Sequence, residues 1–238
     1  MQAFLAILRY DLGQLLRSWV TRIWVPMLAF PALFLVVVAA NEGELASETV
    51  AAYINAVLMP LSALAVAVLT AGAIAGEAQI IADGILSRSV TRAEFVWAKI
   101  AARLGFALAV YLLIMLPFTY LIVRYASPDI SYGGLAVGLF TGALLLTFLG
   151  ALGLTLSTMM TNVLVSILAL LLLVTVSGVV LQFLGLTWMS TTAVLRDMAP
   201  TIRGETPVWD TFRVVLVFAG LTLLAIFSTL TVFRARDL

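Results

Sequence analysis

Six stretches of this chain run long enough to cross a bilayer without a single Asp, Glu, Lys or Arg: Ile23–Ala40, Ile54–Gly76, Leu104–Val123, Gly133–Leu156, Val163–Leu184 and Val214–Phe233. A helix rises about 1.5 Å per residue, so about 20 apolar residues span the roughly 30 Å hydrocarbon layer. The sequence therefore predicts an all-α, polytopic membrane protein with six transmembrane helices, forming a single domain over residues 1–238. Composition agrees, with 63% of residues hydrophobic and 11% charged. A water-soluble fold of this size cannot hide that much apolar surface.

Orientation follows from the charges between the runs. Arg9, Arg17, Arg22, Arg88, Arg92, Lys99, Arg103, Arg234 and Arg236 fall on one side. Arg124, Arg196, Arg203 and Arg213 fall on the other, with the acidic cluster Glu42, Glu44 and Glu48. The positive-inside rule then predicts a multi-pass protein of a bacterial cytoplasmic membrane with N- and C-termini in the cytoplasm. Trp24, Tyr53, Tyr125, Trp188 and Trp209 lie near the ends of the runs, where amphipathic rings favour the interface.

Residues 1–21 are not expected to be a cleaved signal, because arginines interrupt them and no small-residue cleavage site follows. On a helical wheel Phe4, Leu5, Leu8, Leu12, Leu15, Leu16 and Trp19 share one face, with Arg9, Gly13, Gln14, Arg17 and Ser18 opposite. That pattern predicts an amphipathic elbow helix lying on the cytoplasmic leaflet.

Several chemistries are excluded by what is missing. The chain has no cysteine and no histidine, which removes disulfides, His/Cys metal sites and histidine-dependent hydrolysis. No ionisable residue lies inside the six runs, unlike carriers driven by proton or sodium gradients. A phosphate-binding P-loop needs a Gly-Lys-Ser/Thr sequence, whereas Lys99, the only lysine, stands between Ala98 and Ile100. No cofactor is expected in the chain itself, it is not expected to be an enzyme, and a net charge of +1 points to no nucleic acid.

The most informative connection is the cytoplasmic one, 77–103. Its first part reads as an amphipathic helix up to about Leu86, followed by a polar turn from Ser87 to Thr91. Thr91 is placed to cap a second helix that starts near Arg92, with Glu94 three residues on as in a capping box. From Phe95 that helix is expected to run into the third span. In the extracytoplasmic connection 185–213, Ser190 or Thr191 can cap a short helix through Met198 that Pro200 ends, and Gly204 and Pro207 mark a turn.

Glu77, Asp83, Leu86, Ser87, Arg88, Val90, Thr91, Arg92 and Lys99 fit a motif in which acidic positions precede Leu-Ser-Arg-x-Val-Ser-Arg and a downstream lysine. With the elbow, six spans, cytoplasmic termini and a long connection before the last span, the chain resembles the permeases of bacterial type-2 ATP-binding-cassette exporters. Thr91 stands in place of the family's Ser, and Ile80, Ser89 and Ala98 depart from its Gly, Pro and Gly. The resemblance implies that 77–103 is a coupling-helix loop resting on a separate ATPase subunit, that the matched residues couple the chain to it, and that Arg88 and Arg92 contact it. It also implies a pair of permeases, a second copy or a paralogue, with ATP and Mg bound in the partner ATPases. Arg103 is expected to meet lipid head groups instead. The apolar runs favour an amphiphilic or hydrophobic cargo such as a lipid, glycolipid, peptide or drug. An ATP-independent channel or carrier, or a non-transport scaffold subunit, are the alternatives.

Gly134, Gly138 and Gly142 recur every four residues in the fourth run, which allows close helix approach either within the chain or across a dimer seam. Gln182 is the most polar residue of the fifth run and a candidate for a pathway or a helix contact. Pro26, Pro31, Pro60 and Pro117 lie inside runs and are expected to kink helices or free carbonyls.

Overall fold

A computed structural model describes residues 2–75, 91–160 and 162–235. Among them the secondary structure is helical, apart from one isolated bridge between Leu45 and Ser127. The order is α1 (Gln2–Arg17), α2 (Trp19–Glu42), α3 (Ala46–Tyr53), a π turn (Ile54–Leu58), α4 (Met59–Ala75), α5 (Arg92–Tyr125), α6 (Tyr132–Met159), α7 (Val163–Phe183), a 3₁₀ turn (Thr187–Met189), α8 (Thr191–Arg196), α9 (Met198–Arg203) and α10 (Val208–Ala235). Six segments are long and apolar enough to cross a membrane: α2, α3–α4 as one unit, α5, α6, α7 and α10. The protein is an all-α, multi-pass membrane protein.

Each span matches one apolar run, and α2, α5, α6 and α10 reach beyond theirs at both ends. α5 has 34 residues, so at about 1.5 Å per residue some 20 Å of it extends past a roughly 30 Å hydrocarbon layer. It begins at the expected cap. Thr91 accepts from the Glu94 backbone N–H and the Glu94 carboxylate accepts from the Thr91 N–H, closing a capping box. The helix then runs unbroken through Lys99 and Arg103 to Tyr125. The second span starts eight residues earlier than its apolar run, because 46–53 is helical and buries Ser47 and Thr49 against neighbours instead of leaving them in water.

Prolines and glycines act where the backbone needs them. Pro60 has no N–H to give the carbonyl four residues back, and the ladder relaxes into the π turn Ile54–Leu58 immediately before it. Gly43 ends α2 and Gly204 ends α9 in the left-handed conformation, at φ 67° and φ 79°. Pro200 does not terminate the short external helix. Ser190 caps α8, the chain breaks at Asp197, and Pro200 lies in the first turn of α9, where no intrahelical N–H bond is required.

Packing centres on α6, which touches α4, α5, α9 and α10, while α7 sits at the periphery with only 11% of its span buried. Two of the rings expected at the interface are interior. Tyr53 is fully buried and donates its hydroxyl to the Leu28 carbonyl at 3.0 Å, and Trp24 is packed in the same core. Tyr125 and Trp209 are exposed.

With six spans, α1, the start of α5 and the end of α10 share one end of the bundle, which is the basic end. The other end is closed by loops that bond to one another. Ala46 N–H donates to the Ser127 carbonyl at 3.1 Å and Ser127 N–H to the Glu44 carbonyl at 2.9 Å. Asp129 accepts from both the backbone and the hydroxyl of Ser47, and Arg203 reaches the same hydroxyl at 3.2 Å while pairing with Glu205 at 3.0 Å. Asn55 ties the second span to α8 by donating to the Leu195 carbonyl at 2.8 Å.

Candidate functional site

At the basic end, α1 ends at Arg17 and the chain turns at Ser18, which is extended (φ −66°, ψ 144°) and caps α2 by accepting from Thr21 N–H. α1 is thus an elbow separate from the first span. Its inner face is the stripe Phe4, Ile7, Leu8, Asp11, Leu12 and Leu15 at helical spacing, packed on α5. Leu5, Leu16 and Trp19, grouped with that face in the helical wheel, point outward and are exposed. The protein-facing stripe therefore carries a carboxylate at its centre.

Asp11 is fully buried and meets two cations of α5. Lys99 Nζ donates to Oδ1 at 2.8 Å. Arg103 grips both oxygens, with Nε on Oδ2 and Nη2 on Oδ1, each at 3.0 Å. Lys99 and Arg103 are four residues apart and so lie one above the other on a single face of α5. The remaining arginine nitrogen, Nη1, donates to the backbone carbonyl of Leu69 near the end of α4. The Lys99 ammonium also lies 5.6 Å from the Phe95 ring, which stacks on Phe233 of α10.

The cluster thus pins α1, α4 and α5 together, and an apolar group containing Phe95, Ile100, Leu154 and Phe233 extends the junction to α6 and α10. Removing charges from water costs several kcal/mol per ion, and only close, fully bonded geometry offsets it. Three charge-assisted bonds on one carboxylate meet that condition. Among the described residues no group of His, Cys, Asp and Glu could hold a metal ion.

Lys99, which the motif places in the ATPase-coupling set, has only 2% of its side chain exposed and points toward Asp11. Arg103, expected among lipid head groups, is 10% exposed and bound to Asp11 and Leu69. Of the other motif residues, Thr91 is the exposed cap of α5 and Arg92 is the first residue of that helix. Glu77, Asp83, Leu86, Ser87, Arg88 and Val90 lie outside the described residues.

The glycine row is filled from within the chain. A Cβ at Gly134 would collide with the carbonyls of Thr201 and Ile202 in α9, one at Gly138 with the Ile202 side chain, and one at Gly142 with the Tyr111 hydroxyl. Gln182 is exposed in the last turn of α7.

Asp11 was the residue that sequence reasoning passed over. The signal was present, since it is the only carboxylate before Glu42 in an arginine-rich segment, and the chain's single lysine stands one helical turn from an arginine on α5. No protein-family model matches the chain, and no curated protein matches it.

Proposed function

We propose that this chain is the permease subunit of an ATP-driven exporter of the type-2 ATP-binding-cassette kind. It pairs with a second permease and rests on separate ATPase subunits, with the basic end and both termini in the cytoplasm of a bacterium. The observation that carries the reading is the continuity from motif to membrane. The matched segment leads directly into the capping box at Thr91, and within three turns the same helix reaches the buried Asp11–Lys99–Arg103 cluster. A push on 77–92 is delivered to the elbow and to the second span at once, because α1, α4 and α5 share that cluster.

In this scheme the motif residues divide their work. Arg88 and Arg92 offer forked donors to carboxylates of the ATPase, while Lys99 and Arg103 hold the internal joint that transmits the movement. ATP and Mg belong to the partner. The cargo is amphiphilic or hydrophobic, in keeping with a transmembrane core that carries its charges near the helix ends.

The test is charge reversal at the docking residues. The double variant Arg88→Glu/Arg92→Glu is expected to lose a co-purifying P-loop ATPase while keeping the thermal unfolding midpoint of the parent chain. Recovery of the ATPase at the parental ratio would remove the docking role from these arginines.

A further inference from the structure

At the end of the bundle opposite α1, a cavity of about 140 Å³ opens between α6, α9 and the start of α10, with Thr141, Trp188, Asp197, Thr206, Asp210 and Arg213 among its walls. It contains charges of both signs. Arg213 Nη2 donates to Asp210 at 2.7 Å, and the guanidinium lies 4.9 Å from the Trp188 ring. Two polar atoms in these walls are buried with no partner: Arg213 Nε and the hydroxyl of Thr141, a residue only 5% exposed. Buried donors left unbonded are costly and uncommon, and these two line the same space.

Directly beneath is an apolar slot of about 390 Å³ between α6, α7 and α10, walled by Phe148, Leu152, Leu173, Leu181, Phe218 and Leu224. Its volume falls within the roughly 300–1,000 Å³ typical of ligand pockets. The two spaces adjoin in the chain. Trp188 of the cavity precedes Met189 of the slot, and Val214 of the cavity lies one turn before Phe218 of the slot. The slot follows α10 from Phe218 to Ser228, about 15 Å at 1.5 Å per residue. A polar, doubly charged chamber above a long apolar slot has the outline of an amphiphile.

We propose that this is a binding site for one zwitterionic aminophospholipid in the leaflet opposite α1. Arg213 Nε and the Thr141 hydroxyl take the phosphate oxygens, Asp210 and Asp197 take the primary ammonium, and one acyl chain lies in the slot. A primary ammonium fits better than a quaternary one. The chamber offers carboxylates that accept N–H bonds, and its one aromatic wall, Trp188, is already covered by Arg213. The site goes beyond the exporter reading and needs no ATPase, so the two stand or fall separately.

The experiment is native mass spectrometry of the delipidated full chain in detergent, titrated with phosphatidylethanolamine or phosphatidylglycerol of identical acyl chains. One phosphatidylethanolamine is expected to bind saturably, with phosphatidylglycerol at least tenfold weaker. Arg213→Gln is expected to weaken the former about tenfold or more, while Arg17→Gln at the far end leaves it unchanged. Thr141→Val removes a hydroxyl that has no bond to lose, so it keeps the fold and is also expected to weaken binding. Leu173→Trp is expected to block the slot. Equal retention of both lipids, or phosphatidylethanolamine binding unaffected by Thr141→Val and Leu173→Trp, would mean surface lipid only and overturn the site.

Discussion

The two ends of the bundle are held in different ways. Among the described residues, the basic end is held by strong charge-assisted bonds in the interior, with Asp11 taking three from Lys99 and Arg103. The opposite end relies on many weaker links, mostly through backbone: Ser127 to Glu44, Ala46 to Ser127, Ser131 to Ile202, and Asn55 to Leu195. A charge cluster has one good geometry and fails as a unit when a member is removed. The web at the other end, which also holds Asp129 on Ser47 and Arg203 on Glu205, loses its members one by one. The first concentrates its stabilisation at one point, and the second spreads it over several loops.

The largest effect is expected at Asp11. Asp11→Ala leaves two buried cations without their carboxylate, and is expected to cost about 3–5 kcal/mol, read as a large fall in the unfolding midpoint in detergent. Lowering by less than the variants below would show that the cluster is not the joint described here. The triple variant Asp11→Leu/Lys99→Met/Arg103→Met sharpens the point. Replacing a whole buried ion group by apolar residues is often neutral, so stability is expected to return toward the parent.

Smaller effects belong to the other end. Gly134→Ala drives a methyl into the carbonyls of α9, and about 1–3 kcal/mol is expected from overpacking against backbone that cannot rotate away. Gly142→Ala meets side-chain atoms, the Tyr111 hydroxyl closest and Met59 Cε at 3.6 Å, and is expected to cost less, so a reversed order in thermal unfolding would contradict the seam assigned to α6 and α9. Ser47→Ala removes one of the bonds to Asp129 and one from Arg203, with about 1–2 kcal/mol expected. Ser190→Ala, which removes the cap of α8, is the mildest at about 1 kcal/mol. A Ser190→Ala loss as large as that of Asp11→Ala would erase the distinction between the ends.

The spans were legible because the bilayer imposes a length and forbids charge, and both constraints are local. The capping box at Thr91 and the break at Ser18 were legible for the same reason, since each is decided within a few residues. The partners of buried polar groups were not. Lys99 and Arg103 read as basic residues on the cytoplasmic side, and only the packing of α1 on α5, 88 and 92 residues away in sequence, turns them inward. Tyr53 was misplaced at the interface because its position in the span says nothing about Leu28, whose carbonyl receives its hydroxyl. The glycine row left two readings open, and the fold fills it with α9 and Tyr111.

We propose that this chain works on an ATPase through 77–103 and the joint behind it. The most direct test is purification from its native membrane in mild detergent, with the accompanying chains identified and ATP hydrolysis measured. A P-loop ATPase present in equal amount with this chain, and hydrolysis that follows the pair, is the predicted result. Recovery of the chain without any ATPase, and with no hydrolysis associated with it, would contradict the claim.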